Sequence, residues 1–304
     1  MMNCMDLIDG KVAHNGQGAG RVFVYVNPDE HERKYLAETL KLDEHTLASA
    51  LDPDEQARLE FEPEHVAIIF KRPRNYSSAE TFVFKVASTG LFLFPDKLII
   101  VLSEDIALFQ GKPFAKVASL PDLVLKLIYS SIFHFVEHLK VVNAVSEALE
   151  DQINTSMHNK YLLNLFSLEK SLVYYLNGIN SNGRLIERLK LSAPKLGFSP
   201  ENLEFIDDLL IENAQCYKQA EIYSNILASM MDARVSIVSN NLNWLIKTLT
   251  IITIAIMLPT LVVSIFSMNV HFPGEEHPWM FWFVLVMALA SVGVVRFVWW
   301  WRKW

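Results

Sequence analysis

The chain has 304 residues, a hydrophobic fraction of 51% and a formal net charge of −7. Residues 241–304 hold four basic and two acidic residues, so that segment carries +2 and residues 1–240 carry −9. Such an acidic chain is unsuited to nucleic acid, whose phosphates attract basic proteins, and it suits cations. The two cysteines, Cys4 and Cys216, lack metal-ligand spacing and predict neither a disulfide framework nor a zinc site.

Short β-branched and aromatic runs alternate with helical patterns over the first part of the chain, which predicts an α+β cytoplasmic domain at 1–118. Gly90 and Pro95 divide the later runs into an antiparallel meander. The predicted strands lie at 21–26, 66–70, 82–86, 91–94 and 98–102, and the predicted helices at 28–40 and 44–51.

Helical periodicity dominates from about residue 120 onward. Patterns at 123–154 and 161–191, the second interrupted at Gly178 and Gly183, predict a helical hairpin region at 119–198. A turn rich in proline and glycine follows before the next helix.

The next pattern predicts a stalk helix at 199–248 that continues into the following apolar segment. Pro200 gives a start signal, and no Gly or Pro follows until Pro259. From Leu203 to Leu245, positions spaced alternately three and four apart are mostly apolar, which predicts a helix-packing seam. A helix of this length needs lateral partners, and copies of the same chain are the natural ones.

Two apolar segments near the end, at 249–266 and 279–298, each approach the ~20 residues that cross a bilayer. They predict a transmembrane domain at 249–304 with a connecting loop at 267–278. The loop lacks Lys and Arg, so the positive-inside rule places it outside and both termini in the cytoplasm, in the plasma (inner) membrane. The start of the chain has no apolar stretch of signal-peptide length. Lys247 precedes the first span, and Arg296, Arg302 and Lys303 follow or end the second. The tryptophans of the tail 299–304 predict an anchor in the lipid bilayer at headgroup level.

One face of the first span carries a stripe that predicts either a pore lining or helix-to-helix packing. A single helix cannot enclose a channel, so a pore requires several copies. Leu249 and Met257 would be apolar constrictions that gate by dewetting. The stripe consists of Asn243, Ile246, Leu249, Thr253, Met257, Thr260 and Ser264.

At these residues the chain resembles the CorA family of divalent-cation channels, in the two-span group with a Gly-Met-Asn signature. The matching residues are Asn243, Leu249-Thr250, Leu258-Pro259-Thr260, Phe266-Ser267-Met268-Asn269, the run 231–240 and the tail 299–304. The order of the elements also matches over nearly the whole chain. The resemblance implies a homopentameric funnel that conducts hydrated divalent ions, magnesium first, and is gated by cytoplasmic divalent ions.

Two departures from the family pattern affect the expected mouth of the pore. Ser267 stands where the family has glycine, so Ser267, Met268 and Asn269 form the expected selectivity mouth. The outer loop 270–277 lacks the family's Met-Pro-Glu-Leu element and keeps two acids. These departures leave selectivity for magnesium over other divalent ions open.

Each mouth residue also has a structural interpretation. Asn269 is either a ring of amides that accepts hydrogen bonds from the waters of magnesium or a helix cap. Glu275 and Glu276 either concentrate cations or form a solvated turn. His271 and His277 are weak evidence for a transition-metal contact.

The resemblance also implies a regulatory cation site on the stalk, between subunits, at Asp208 and Asp232. The acid that usually partners the first of these is replaced by Ser49, and Asp52, with Asp54 and Glu55 close by in sequence, is the expected substitute. A solvated stalk face is the alternative.

These patterns predict a divalent-cation channel with no permanently bound cofactor. No nucleophile–base set or Gly-rich phosphate loop is present in the sequence, so catalysis is not indicated. The alternatives are a transporter of zinc, cobalt or nickel with the same fold, and a membrane scaffold that kept the fold without conducting ions.

Overall fold

The computed structural model of the chain describes residues 2–8, 10–14, 20–74, 83–155, 159–268 and 277–301. The chain divides into two compact units, Met1–Met231 and Asp232–Trp304. The first contains a mixed sheet and most of the helices, and the second contains two apolar helical segments.

The first unit is organised around one sheet. Its strands are β1 (Met2–Ile8), β2 (Lys11–His14), β3 (Val22–Val26), β4 (Arg58–Phe61), β5 (Val66–Pro73), β6 (Val86–Leu93) and β7 (Leu98–Leu102). Their order across the sheet is β2-β1-β3-β7-β6-β5-β4. All neighbours are antiparallel except β3 and β7, which pair in parallel from Val22 opposite Leu98 to Val26 opposite Leu102.

Helices cover both faces of the sheet. The helices of the described chain are α1 (Glu30–Glu38), α2 (Glu44–Ser49), α3 (Leu120–Thr155), α4 (Asn159–Leu191), α5 (Ala193–Leu196), α6 (Pro200–Phe266) and α7 (Trp279–Trp301), with a short 3-10 turn at Lys112–Ala115. The sheet packs against α3 and α4 on one face and against α1 and α2 on the other. Because successive strand residues point to opposite faces, Ile68 and Ile100 join the core shared with α3 and α4. Phe92 and Ile99 join the core shared with α1 and α2.

The predicted fold class is confirmed as an α+β domain, a long helix and two terminal apolar helices. The predicted meander is present as β5, β6 and β7. The structure adds a β1–β2 hairpin that the sequence did not predict, and residues 83–85 lie before β6 rather than in a strand. The start of the predicted strand at 82–86 lies outside the described residues.

Three predicted glycine breaks are wrong, because each glycine lies inside a continuous element, and two of them permit a close approach. Gly90 lies within β6, where a Cβ atom would come 2.5 Å from the Cβ of Ala50 at the end of α2. Gly178 and Gly183 lie within α4, and a Cβ on Gly183 would come 2.9 Å from the amide nitrogen of Asn213 on α6.

A buried lysine ties the sheet to the helical hairpin and to the loop after α2. Lys71 on β5 is 4% exposed, and its Nζ donates to the Pro53 carbonyl and to Ser88 Oγ, both at 2.8 Å. Its backbone N–H donates to Asn182 Oδ1 at 2.7 Å, and its carbonyl accepts from Asn182 Nδ2 at 2.7 Å and from Ser131 Oγ at 2.6 Å. These bonds satisfy buried polar groups that would otherwise destabilise the core.

Gly90→Ala should destabilise the protein. The added Cβ would lie 2.5 Å from Ala50, so α2 or β6 has to shift, at a cost of about 1–3 kcal/mol. The control is Gly178→Ala, whose Cβ would meet its nearest neighbour at 3.4 Å and which replaces a helical glycine by the best helix former. Thermal unfolding of the purified protein should show a lower Tm for the first variant and not for the second. Equal Tm values for wild type and Gly90→Ala would contradict the close approach.

Lys71→Met should change how stability depends on pH. Burial lowers the pKa of Lys71 from 10.5 to about 8, despite the opposing charges of Asp52, Glu55 and Asp54. Between these two values the unfolded chain binds a proton that the folded chain has released, so this group makes stability rise with pH. We expect the Tm of wild type to rise relative to Lys71→Met between pH about 8 and about 10.5. A difference that is constant with pH would show that Lys71 is not titrating in this range.

Candidate functional site

Two helices of the structure are long and apolar enough to cross a membrane, Pro200–Phe266 and Trp279–Trp301. The apolar segment of α6 includes Pro259, which has no N–H to donate to the preceding turn. At the end of the two helices nearest the connecting loop, the rings of Phe266 and Phe283 meet edge to face, with centroids 6.4 Å apart.

The predicted stripe lies on the side of α6 that is turned away from α7. All seven stripe residues are exposed in the single chain. The half-buried residues of the same segment recur at Ile251, Ala255, Leu258, Val262 and Phe266, and they end in the ring contact with α7. At ~100° per residue these two sets lie on roughly opposite sides of the helix. The stripe is therefore not used for packing between α6 and α7 within one chain.

The hydroxyl groups of this segment are satisfied along their own helix. Thr253 Oγ1 donates to the Leu249 carbonyl at 2.8 Å, and Thr260 Oγ1 donates to the Ile256 carbonyl at 2.7 Å. Each hydroxyl oxygen keeps lone pairs that can accept a hydrogen bond from water. A helix face with such groups can contact water without an unpaired donor.

The end of α6 is closed by hydrogen bonds of Ser267 and Met268. Ser267 Oγ donates to the Ser264 carbonyl at 2.9 Å, and the Ser267 N–H bonds the Val263 carbonyl at 3.1 Å. The Met268 N–H reaches the Ile265 carbonyl at 3.4 Å. These bonds satisfy carbonyl groups that have no partner further along the helix.

Several predicted mouth residues lie outside the described residues, so their placement stays a prediction. They are Asn269, His271, Glu275 and Glu276. His277 is described, and its ring stacks on Trp279 with centroids 6.5 Å apart. Arg302, Lys303 and Trp304 of the predicted anchor are likewise not described, whereas Trp299 and Trp300 end α7 as exposed residues.

Part of the predicted stalk seam is used inside the chain. Ile206, Ala220 and Leu227 are buried in the core of the first unit, as the seam predicted. Leu203 is 36% exposed, and the neighbouring Leu209 is buried instead. The buried face of α6 is therefore rotated from the predicted seam, because it packs against α3 and α4 rather than against another α6.

The predicted regulatory acids do not form a ligand set within one chain. Asp52, Asp208 and Asp232 are all exposed. Among the described residues, no group of three or more His, Cys, Asp or Glu side chains is arranged to hold a metal ion. Any site that uses these acids therefore needs a second copy of the chain.

Ser49, where the resemblance predicted the missing partner acid, is buried in a polar cluster of its own. Its Oγ donates to Glu55 Oε2 at 3.1 Å and accepts from Arg58 Nη2 at 3.1 Å. Arg58 also pairs with Glu55 Oε1 at 2.6 Å and with Glu60 Oε1 at 2.9 Å. Burial opposes the ionised form of Glu55, but the Ser49 hydrogen bond and the Arg58 charge outweigh it and lower its pKa. Glu55 thus already has a fixed cation as its partner.

A cleft that the sequence did not predict lies between helix α4 and the loop that follows α2. Its volume is about 730 Å³, and its lining consists of Asp52, Asp54, Glu55, Gln56, Ala57, Arg58, Arg184, Leu185 and Arg188. The signal in the sequence is the spacing of Arg184 and Arg188, four residues apart on one helix face. Only the folded chain shows that this face lies beside the loop at 52–58.

Comparison with known proteins supports the architecture over nearly the full chain. A family model described as CorA-like Mg2+ transporter protein matches residues 22–303. The cobalt/magnesium transport protein CorA of Methanocaldococcus jannaschii is 24% identical over 287 residues, covering 91% of this chain and 88% of that protein.

Two solved structures share the fold. The complete CorA magnesium transporter from M. jannaschii has a TM-score of 0.78 at 20% identity and covers 98% of this chain and 96% of its own. The full-length CmaX protein has a TM-score of 0.73 at 13% identity and covers 100% and 97%. With the match to residues 22–303, these similarities identify the chain as a membrane protein that belongs to the CorA-like Mg2+ transporter family.

Proposed function

We propose that the chain is one subunit of a homopentameric channel for divalent cations, with Mg2+ as the first candidate substrate. The observation that carries this proposal is the stripe on α6, which is exposed in one chain and turned away from α7. The chain belongs to a family of Mg2+ transporters, which supports a divalent cation as the substrate. The name of the M. jannaschii relative adds cobalt as a second candidate ion.

In this proposal copies of α6 surround an axis, and the stripe lines the pore. Thr253, Thr260 and Ser264 offer hydroxyl oxygens to the waters that Mg2+ keeps. Leu249 and Met257 form apolar rings, which water leaves when the pore narrows. Both termini lie in the cytoplasm, and the domain boundaries at 118, 198 and 248 belong to the same proposal.

Asn269 is the proposed selectivity ring. An amide oxygen accepts hydrogen bonds from the hydration shell without removing it, whereas a ring of carboxylates would hold a dication too tightly to release it quickly. Ser267 and Met268 form the turn that leads to this ring, and Glu275 and Glu276 raise the local cation concentration outside it.

The principal experiment is ion flux in liposomes that contain the purified protein, with Mg2+, Co2+, Ni2+ and Zn2+ compared. Flux of Mg2+ supports the proposal, and flux of the other ions alone supports the second candidate, a transition-metal channel, which the cobalt in the relative's name favours and which Met268 in the signature disfavours. Flux of none of them in an intact oligomer would leave the non-conducting scaffold.

Asn269→Ala should reduce divalent flux by on the order of tenfold or more, because each subunit loses a hydrogen bond to the hydrated ion. Assembly should be unchanged, since the side chain contributes little packing. The control is Asn225→Ala, which removes an exposed amide from the cytoplasmic part of α6. Unchanged flux in the Asn269 variant would assign this residue to helix capping.

Ser267→Gly should conduct at least as well as wild type and raise the ratio of Mg2+ to Zn2+ flux. The change removes both the Cβ atom and the hydroxyl that bonds the Ser264 carbonyl at 2.9 Å, which relieves any strain or narrowing that Ser267 imposes on the mouth. If the mouth is instead adapted to Ser267, the looser turn should lower the ratio. Ser267→Ala removes the hydroxyl alone and separates the two effects. Equal flux ratios in all three proteins would show that position 267 does not determine selectivity.

A further inference from the structure

Helix α7 carries one charged side chain inside its apolar segment, Arg296. The helix Trp279–Trp301 has 23 residues, which gives about 34 Å at ~1.5 Å per residue, against ~30 Å for the hydrocarbon core of a bilayer. Arg296 lies about 7.5 Å from the Trp301 end, so its Cα atom is about 5 Å inside the hydrocarbon when the helix is centred. A charge at this depth is costly without a partner.

No carboxylate of the described second unit is close enough to be that partner. Arg296 is exposed and makes no ion pair or hydrogen bond with a described residue. Among residues 232–268 and 277–301, Asp232 is the one carboxylate. The ring contact of Phe266 with Phe283 sets a common level, from which Asp232 is about 51 Å away along α6 and Arg296 about 20 Å away along α7. The two charges are therefore about 30 Å apart in depth.

Neighbouring copies bring no described carboxylate of their second units to this depth either, a step that rests on the proposed ring. The rotation axis of such a ring runs along the bilayer normal, so every copy places the same residue at the same depth. Asp232 of a neighbouring copy is then as far from Arg296 in depth as Asp232 of the same chain. An anion from the surroundings remains as the partner of Arg296.

The flank of α7 that carries Arg296 is turned away from α6. The side that faces α6 is marked by residues less exposed than their neighbours, namely Met280, Val284, Ala288, Ser291 and Val295. Leu289, Val292, Arg296 and Trp300 are exposed and lie within about 80° of arc, about 125° around the helix from that side. In the proposed ring the stripe of α6 faces the axis and α7 lies behind it, so this flank meets lipid.

A phospholipid supplies both a phosphate and an apolar chain to this flank. Trp300 lies one turn beyond Arg296, and tryptophan rings are enriched at the headgroup level. The aliphatic stem of Arg296 can follow the helix to the same level, where its planar N–H donors match two phosphate oxygens. Leu289 and Val292, on the other side of Arg296, offer apolar surface to an acyl chain.

The charge at this end of the second unit favours an anionic headgroup over a zwitterionic one. Lys247 on α6 lies about 28 Å from the level of Phe266, within about 9 Å of the depth of Arg296. The described residues of the unit thus place two basic side chains and no carboxylate near this depth. Basic residues at a membrane attract anionic lipids, whereas they repel the ammonium group of a zwitterionic headgroup.

We propose that Arg296, Trp300 and the apolar flank at Leu289 and Val292 form a binding site for an anionic phospholipid, in the leaflet at the Trp301 end of α7. The phosphate accepts two N–H bonds from Arg296, Trp300 lies beside the headgroup, and one acyl chain follows the flank. Each subunit carries one such site, so the bound lipids form part of the outer surface of the proposed ring.

Lipid retention by the purified protein tests this site. The protein is incorporated into vesicles of equal parts phosphatidylglycerol and phosphatidylcholine and extracted in mild detergent, and the bound lipids are counted by native mass spectrometry. We expect wild type to retain phosphatidylglycerol preferentially. Arg296→Leu should lower this preference about fivefold, the factor that one basic residue contributes near an anionic membrane surface. The matched control is Lys112→Leu, which makes the same change of charge at an exposed lysine of the first unit.

A conservative variant and a soluble anion define the outcomes further. Arg296→Lys should keep part of the preference, because an ammonium group also reaches the phosphate from this position. A lysine variant that behaves like Arg296→Leu, or wild-type preference in Arg296→Leu, would overturn the proposal. Millimolar inorganic phosphate should not displace the lipid, since it has no acyl chain, and displacement would show a site for soluble anions instead.

The same spectra give the mass of the oligomer, which separates this test from that of the channel. A pentamer with divalent flux but without the lipid preference contradicts only the lipid site. A protein that keeps the Arg296-dependent preference but conducts no ion contradicts only the proposed function.

Discussion

The rest of the chain covers only part of the apolar surface of helix α6. Up to Leu227 its buried face packs against the core formed with α3 and α4, and beyond that point no side chain of the helix is fully buried. Exposed apolar residues continue from Val235 through Ile265. The cost of leaving this surface in water is large, at roughly 25 cal/mol for each Å². A bilayer removes such surface from water, and copies of α6 in the proposed oligomer would cover more of it.

In the first unit, buried charged side chains are paired with groups of the same chain. Lys71 replaces solvent with the Pro53 carbonyl and Ser88, and Asn182 bonds both backbone groups of the same residue. Arg58 forms an ion pair with Glu55 and donates a hydrogen bond to Ser49. Buried charges that lose water need such partners, and a cation supplied by the chain is always present, whereas a bound dication depends on its concentration.

At the mouth of the proposed pore, one residue, Ser267, is expected to affect ion selectivity through a hydrogen bond to its own helix. A glycine at position 267 would leave the last turn of α6 free, whereas Ser267 bonds it to Ser264. The additional bond restrains the residues that lead to Asn269. In the proposed pore this turn leads directly to the ring of amides, and the Ser267 hydroxyl is therefore the residue-level change whose effect on ion selectivity the Ser267→Ala and Ser267→Gly variants measure.

The sequence by itself determined the features that repeat locally. The start of α6 at Pro200, both apolar helices and the stripe follow from periodicity, start signals and apolar length, which depend on neighbours along the chain. The segment around Ser267-Met268-Asn269 was sufficient to indicate the family, which the match over residues 22–303 confirmed.

Tertiary structure decided what depends on distant residues. Gly90 and Gly183 looked like breaks because the sequence does not show that Ala50 and Asn213 approach them. The parallel pairing of β3 with β7 joins residues far apart in the chain. The cleft that brings Arg184 beside the loop after α2 likewise exists only in the fold, because long-range contacts, not local preference, bring these side chains together.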